Sequence, residues 1–102
     1  MLIVLTTVPN TEEAEGLAER IVSEKLAACV QIVPRITSIY FWEGKIAKEN
    51  ELLLLIKTKE ELYEKLATFI KSNHTYEVPE ITAISADKVS DEYAKWLADY
   101  LA

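Results

Sequence analysis

Glu51-Leu52-Leu53-Leu54-Leu55-Ile56-Lys57 is the stretch that decides the fold. It is too short for a typical helix and ends in charge at both sides, so it reads as a strand. Successive side chains on a strand point to opposite faces. A strand with one wet face therefore alternates apolar and polar residues. This one does not, and neither does Met1-Leu2-Ile3-Val4-Leu5. Both faces of these strands are apolar. Left in water, the second face would cost roughly 1.5–3 kcal/mol per large side chain and would invite aggregation. The expectation is that it is buried in a symmetric oligomer, sheet toward sheet. The alternative is that a C-terminal helix folds across it.

Working outward, Ala28 to Trp42 reads as one long strand, interrupted at Pro34-Arg35 because proline cannot donate to a ladder. Ile36-Thr37-Ser38-Ile39-Tyr40-Phe41-Trp42 is strongly β-prone, and Glu43-Gly44-Lys45 is the turn that brings the chain back into Glu51–Lys57 as a long hairpin. On the C-terminal side, Thr58 to Glu61 has the spacing of a capping box. The helix after it places Leu62, Leu66, Phe69 and Ile70 on one face and ends at Ser72-Asn73-His74. A last strand follows over Ile81–Ala86. Ser90 caps a short helix carrying Tyr93, Trp96, Leu97 and Tyr100. On the N-terminal side, Leu2–Val8 is a strand stopped by Pro9. Asn10 and Glu13 have capping-box spacing, and Ala14, Leu17, Ala18, Ile21, Val22 and Leu26 form a helical stripe. Gly16 costs that helix about 1 kcal/mol against alanine, and close packing on a strand would explain it. The order β-α-β-β-α-β-α is the split β-α-β, ferredoxin-like α+β arrangement, with both main helices on one face of the sheet. One domain over residues 1–102 is expected from length.

Composition narrows the function. Eleven Lys and Arg against seventeen Asp and Glu give a formal charge of −6, which argues against nucleic acid as a partner. No apolar run approaches the roughly 20 residues of a membrane span. Met1 lacks the basic region of a secretory signal, and a single cysteine precludes an intrachain disulfide, so a cytoplasmic setting is expected. Cys29 is either a small buried hydrophobe or a soft ligand for a metal such as Cu(I). His74, the one histidine, either closes a helix or serves as a metal ligand or acid–base group. One cysteine and one histidine do not fill a tetrahedral site, so carboxylates or symmetry mates would have to complete it. His74-Thr75-Tyr76-Glu77 places a base, a phenol and a carboxylate in one loop. Lys57 stands before a helix N-terminus, where it either holds an anion with the free N–H groups or marks where the strand reaches water. Tyr40-Phe41-Trp42 reads as packing or interface. No hydrolase, zinc-protease, phosphate-loop or C-x-x-C motif is present.

Four stretches carry a resemblance. Glu24-Lys25-Leu26-Ala27-Ala28-Cys29-Val30, then Ile36 through Lys45, then Leu54-Leu55-Ile56-Lys57-Thr58, then His74-Thr75-Tyr76-Glu77-Val78-Pro79-Glu80-Ile81 resemble the CutA divalent-cation tolerance family. The resemblance runs from Thr6-Thr7 to Tyr93–Leu97. It implies a cytosolic homotrimer with a long hairpin, assembled like the PII signalling proteins with sheets inward. It also implies a role in tolerance of divalent metals, copper above all, and no enzymatic reaction. Carried onto this chain, the family's recurrent polar residues are Cys29, Trp42, Lys57, His74, Tyr76 and Glu77, near clefts between subunits. Two positions depart from the pattern. Thr75 replaces the usual proline, leaving the His74 loop less rigid, and Arg35 stands where glycine is usual. The resulting expectation is a homotrimer that binds copper or a related divalent ion through Cys29, His74 and Glu77, with no tightly bound cofactor and no membrane partner. The alternative is a PII-like sensor of an anionic small molecule, held in inter-subunit clefts by Trp42, Lys57 and Tyr76.

Overall fold

A computed structural model describes residues 1–102. The elements are β1 (Leu2–Val8), α1 (Thr11–Ser23), β2 (Cys29–Trp42), β3 (Lys45–Thr58), α2 (Tyr63–Ser72, entered through a 3-10 turn at Glu60–Leu62), β4 (Thr82–Ser85) and α3 (Asp91–Tyr100). One antiparallel sheet has the order β2-β3-β1-β4. This is the ferredoxin-like arrangement expected from the element order. Val4 and Val8 of β1 and Leu52, Leu54 and Ile56 of β3 pack with Ala14, Leu17 and Ile21 of α1 and Leu66 and Ile70 of α2 in one core. Both helices therefore lie on the same sheet face.

The ends of α1 show what the sequence pattern alone does not resolve. At the start, Asn10 Oδ1 accepts from the Glu13 N–H at 2.9 Å, and the Asn10 amide donates to Glu13 Oε2 at 2.8 Å. At the finish, the helix stops at Ser23, although the apolar stripe runs on to Leu26. Lys25 turns left-handed (φ 57°), donating to the Val22 carbonyl, while Leu26 donates to that of Ile21. This is a Schellman ending, in which the residue after the turn packs back on the helix. Leu26 thus stays in contact with the core without being helical. Gly16 has no packing reason within the chain, since a methyl group there would meet nothing within 4 Å.

Two caps differ from expectation. Thr58 is the last residue of β3 rather than an N-cap, and its hydroxyl donates to the Leu26 carbonyl at 2.7 Å. The 3-10 turn begins after Lys59 with no side-chain cap. Ser90 occupies the N-cap of α3, but its side chain makes no capping bond. The last strand is also shorter than Ile81–Ala86.

β3 begins at Lys45 rather than Glu51, so the hairpin pairs Trp42 with Lys45 and continues to Cys29 opposite Lys57. Its loop has only two residues, Glu43 (φ 48°) and Gly44 (φ 81°), the two positive φ values of a type I′ turn. The ladder shifts between Val33 and Ile36, at Pro34-Arg35. Arg35 adopts φ 56° there, a conformation costing a non-glycine residue about 1 kcal/mol. Since β1 pairs with β3 only from Thr58 to Leu52, the segment from Ile36 to Glu51 projects as a two-stranded arm. It stretches the chain to 45 Å in its longest dimension.

The face away from α1 and α2 is built from rows across the strands. Cys29, Lys57, Ile3 and Ile84 form one row. Gln31, Leu55, Leu5 and Thr82 form the next, followed by Val33, Leu53 and Thr7. Ile3, Leu5, Leu53 and Leu55 are only half-buried, and Ile84 is exposed. α3 does not roof this face beyond its first row, where Tyr93 lies beside Lys57. Its buried Leu97, with Leu101, packs on Ala28, Met1 and Leu62 at the foot of the sheet.

Two threonines give the fold a paired test. Thr6 is fully buried and its hydroxyl has no partner, whereas the equally buried Thr58 hydroxyl is bonded. Thr6→Val should stabilise by about 1 kcal/mol and Thr58→Val should destabilise by about 1–2 kcal/mol, because an unmet buried polar group is costly and a lost partner leaves the Leu26 carbonyl unmet. Thermal melts should therefore move in opposite directions; a shift in the same direction would contradict this assignment.

Candidate functional site

The register of the arm decides which side chains meet. Ser38 pairs with Glu49, Tyr40 with Ala47, Trp42 with Lys45 and Ile36 with Glu51. Partners opposite each other share a face. Tyr40, Trp42, Glu49 and Glu51 therefore project to the same side, continuous with the open face of the sheet. The loop after α2 crosses the end of β1 and brings Tyr76, Glu77 and Glu80 against them. The result is a cleft of about 480 Å³ at the root of the arm. Four carboxylates line it, Glu49, Glu51, Glu77 and Glu80, and no basic residue does.

A chain of hydrogen bonds holds the loop in place. His74 Nε2–H donates to the Thr7 carbonyl at 2.7 Å, and His74 Nδ1 accepts from the Tyr76 backbone N–H at 3.0 Å. A carbonyl only accepts and an amide N–H only donates, so these partners fix the neutral Nε2–H tautomer. The Tyr76 hydroxyl then donates to Glu51 Oε2 at 2.6 Å. Glu51 is 6% exposed. Burial, then the bond to Glu51 and the charges of Glu51 and Glu49, hold the Tyr76 phenol well above its ordinary value near 10. Tyr40 is raised as well, first by the neighbouring Glu49 carboxylate. His74 thus clips the loop to β1.

The six residues singled out from sequence fall in three places. Trp42, Tyr76 and Glu77 line the cleft. His74 stands behind it, with both ring nitrogens engaged, beside a separate groove formed with Gly16, Leu17 and Arg20. Cys29 and Lys57 lie at the other end of the sheet. The Cys29 row is four residues of β1 away from Thr7, about 13 Å at the strand rise. There Lys57 Nζ donates to Gln31 Oε1 and lies 6.0 Å from the Tyr93 ring, which stacks on Trp96 at 5.6 Å. Burial and the neighbouring Cys29 raise the Tyr93 phenol. Within one chain no three His, Cys, Asp or Glu side chains group as metal ligands. Cys29, His74 and Glu77 therefore do not form a site inside a single protomer. Within one chain Lys57 does not reach Trp42 and Tyr76, and the cleft that holds the two aromatic residues is walled by carboxylates.

The residues missed from sequence are Glu49, Glu51, Tyr40 and Glu80. The signal for the first two was the strand period itself. Extending β3 back to Lys45 puts Glu49 and Glu51 on the face of Leu53 and Leu55, opposite Ser38 and Ile36.

A ferredoxin-like sheet with a projecting hairpin and an acidic cleft at its root is the class of protein that these features define. The family model described as CutA1 divalent ion tolerance protein matches residues 2–100, and the chain belongs to that family. It is similar to the divalent-cation tolerance protein CutA of Thermus thermophilus, with 46% identity over 97 residues, 95% of this chain and 94% of that protein. It is 50% identical over 96 residues to the chloroplastic CutA of Arabidopsis thaliana, covering 94% of this chain and 53% of that protein. The chain spans about half the length of that plant relative and of its rice counterpart. Among solved structures, CutA1 of Thermus thermophilus superposes with a TM-score of 0.95 at 45% identity over 100% of both chains. CutA1 of Oryza sativa superposes with a TM-score of 0.96 at 46% identity, covering 99% of this chain and 93% of that one. No helix of this chain is long and apolar enough to cross a membrane.

The bond between Tyr76 and Glu51 has a measurable consequence. The folded state keeps the Tyr76 proton to higher pH than the unfolded state does, so above about pH 10 the folded state binds more protons and stability falls as pH rises. Below that pH the contribution is fully present. Tyr76→Phe removes this term, and the melting temperature of the wild type should drop more steeply between pH 9.5 and 11.5, roughly the titration range of an ordinary tyrosine, than that of the variant. Parallel slopes would contradict the assignment.

Proposed function

We propose that this chain assembles as a homotrimer through its open sheet face and arm, and that the trimer binds divalent cations, copper among them, as its part in metal tolerance. The response is binding rather than turnover. The observation that carries the cation reading is the cleft with four carboxylates and no basic group. Such walls attract cations and repel anions, which disfavours the reading of an anion sensor. Oxygen donors suit hard divalent ions, and among the divalent metals of the first transition row copper stands highest in intrinsic affinity. Because no three ligands group within one chain, the ion keeps water or gains a donor from a neighbouring subunit. Engaging His74 as a ligand would break the loop clip, and its ring has no free nitrogen to act as a catalytic base. Cys29 supplies one soft donor per chain at the far end of the sheet, so a Cu(I) site there would need thiols from other copies.

Calorimetry with Cu(II) separates these possibilities. The double variant Glu49→Gln, Glu77→Gln should bind at least about tenfold more weakly, in line with the loss of charged ligands. Cys29→Ala should bind as the wild type does. The reverse pattern, with loss in Cys29→Ala and none in the double variant, would move the metal out of the cleft.

A further inference from the structure

Glu51 poses a problem that the fold alone does not solve. It is 94% removed from solvent, and Tyr76 supplies its one hydrogen-bonding side chain, at Oε2. The other oxygen has no hydrogen-bond partner within the chain and is open to the cleft that the residue lines, not sealed from solvent as the Thr6 hydroxyl is. The ion pair that the chain does form, Lys95–Asp99, is on α3. A buried carboxylate without a counter-charge is costly, and such groups are normally found paired. The same cleft has aromatic walls. Trp42 is 44% exposed and Tyr40 37% exposed, both facing the space above Glu51.

Resting on the reading of the cleft as a cation site, we propose that it also takes an organic ammonium ion, a small aliphatic amine whose charged end meets Glu51 and whose carbon body lies on Trp42 and Tyr40. An ammonium group brings several N–H donors and so satisfies the free oxygen of Glu51 without converging ligands. A metal ion needs ligands to converge, and within one chain they do not. The aromatic faces distinguish the two kinds of cation further. They attract a desolvated ammonium, particularly at indole, whereas an ion that keeps its water shell gains little from them. A cleft of about 480 Å³ fits a small molecule. With Glu49 and Glu77 also on the walls, a second positive charge on the ligand is matched, so a linear diamine is the favoured class.

The test is calorimetry on the full chain with 1,4-diaminobutane, with 1,4-butanediol as the uncharged control, repeated on Glu51→Gln and Trp42→Ala. The diamine should bind and the diol should not. Glu51→Gln should weaken the diamine about tenfold or more, and Trp42→Ala should weaken it roughly threefold or more. Thermal melts check folding; Glu51→Gln removes a buried charge, keeps an acceptor for Tyr76 and should melt no lower than wild type. If it fails to fold, the Trp42→Ala arm decides alone. Absence of diamine binding, or binding indifferent to the variants that fold, overturns the inference. Copper binding sensitive to Glu49 and Glu77 without diamine binding would sink this inference and leave the cation site standing. Failure of both ligands would remove the cation site as well.

Discussion

The central strand β3 is apolar on both sides, and the rest of the molecule is arranged around that constraint. Leu52, Leu54 and Ile56 are buried under α1 and α2. Leu53 and Leu55 point the other way, beside Leu5, Ile3 and Val33, and the chain's own elements leave them only half-buried. Two helices cover one face of a four-stranded sheet, and α3 is occupied at its foot. The hydrophobic effect favours covering a surface of this kind from outside the chain. The arm adds to the same demand. A two-stranded ribbon is marginal by itself, and this one exposes Ile39, Phe41 and Ile46 on the side away from the cleft.

The cleft is a by-product of that architecture. It forms where the arm leaves the sheet, because register there turns Glu49, Glu51, Tyr40 and Trp42 onto the open side just as the loop after α2 arrives. The loop is held through His74 to the β1 backbone and through Tyr76 to Glu51, so the acidic wall and the structural clip share one carboxylate. Charge, burial and loop position are coupled at this point. A cation that pairs with Glu51 acts on the same group that anchors Tyr76.

Much of the fold could be read from periods. The helical stripes located α1 and α2, and the absence of alternation in Leu52–Ile56 exposed the second apolar face. Local capping chemistry was less legible. Thr58 and Glu61 have capping-box spacing, yet the strand pairing of Thr58 with Leu2 and its bond to Leu26 take precedence. The start of β3 was hidden because Lys45-Ile46-Ala47-Lys48-Glu49-Asn50 is a polar segment of low strand propensity. Only pairing with the β-prone Ile36–Trp42 makes it a strand, and with that start unseen Glu49 and Glu51 could not be placed beside Trp42. Tyr76 and Glu77 were found together because a loop rich in polar groups follows the helix, and Trp42 joined them through the family resemblance. The separation of Cys29 and Lys57 from them depends on sheet register, which no single segment encodes.

The most direct measurement is the mass of the full chain in solution, by light scattering on a size-exclusion column at micromolar concentration. A single species at three times the 11.6 kDa of one chain is the expected result. A stable species of one chain's mass would mean that water is in contact with Leu53, Leu55 and the arm, and would contradict the account at its root.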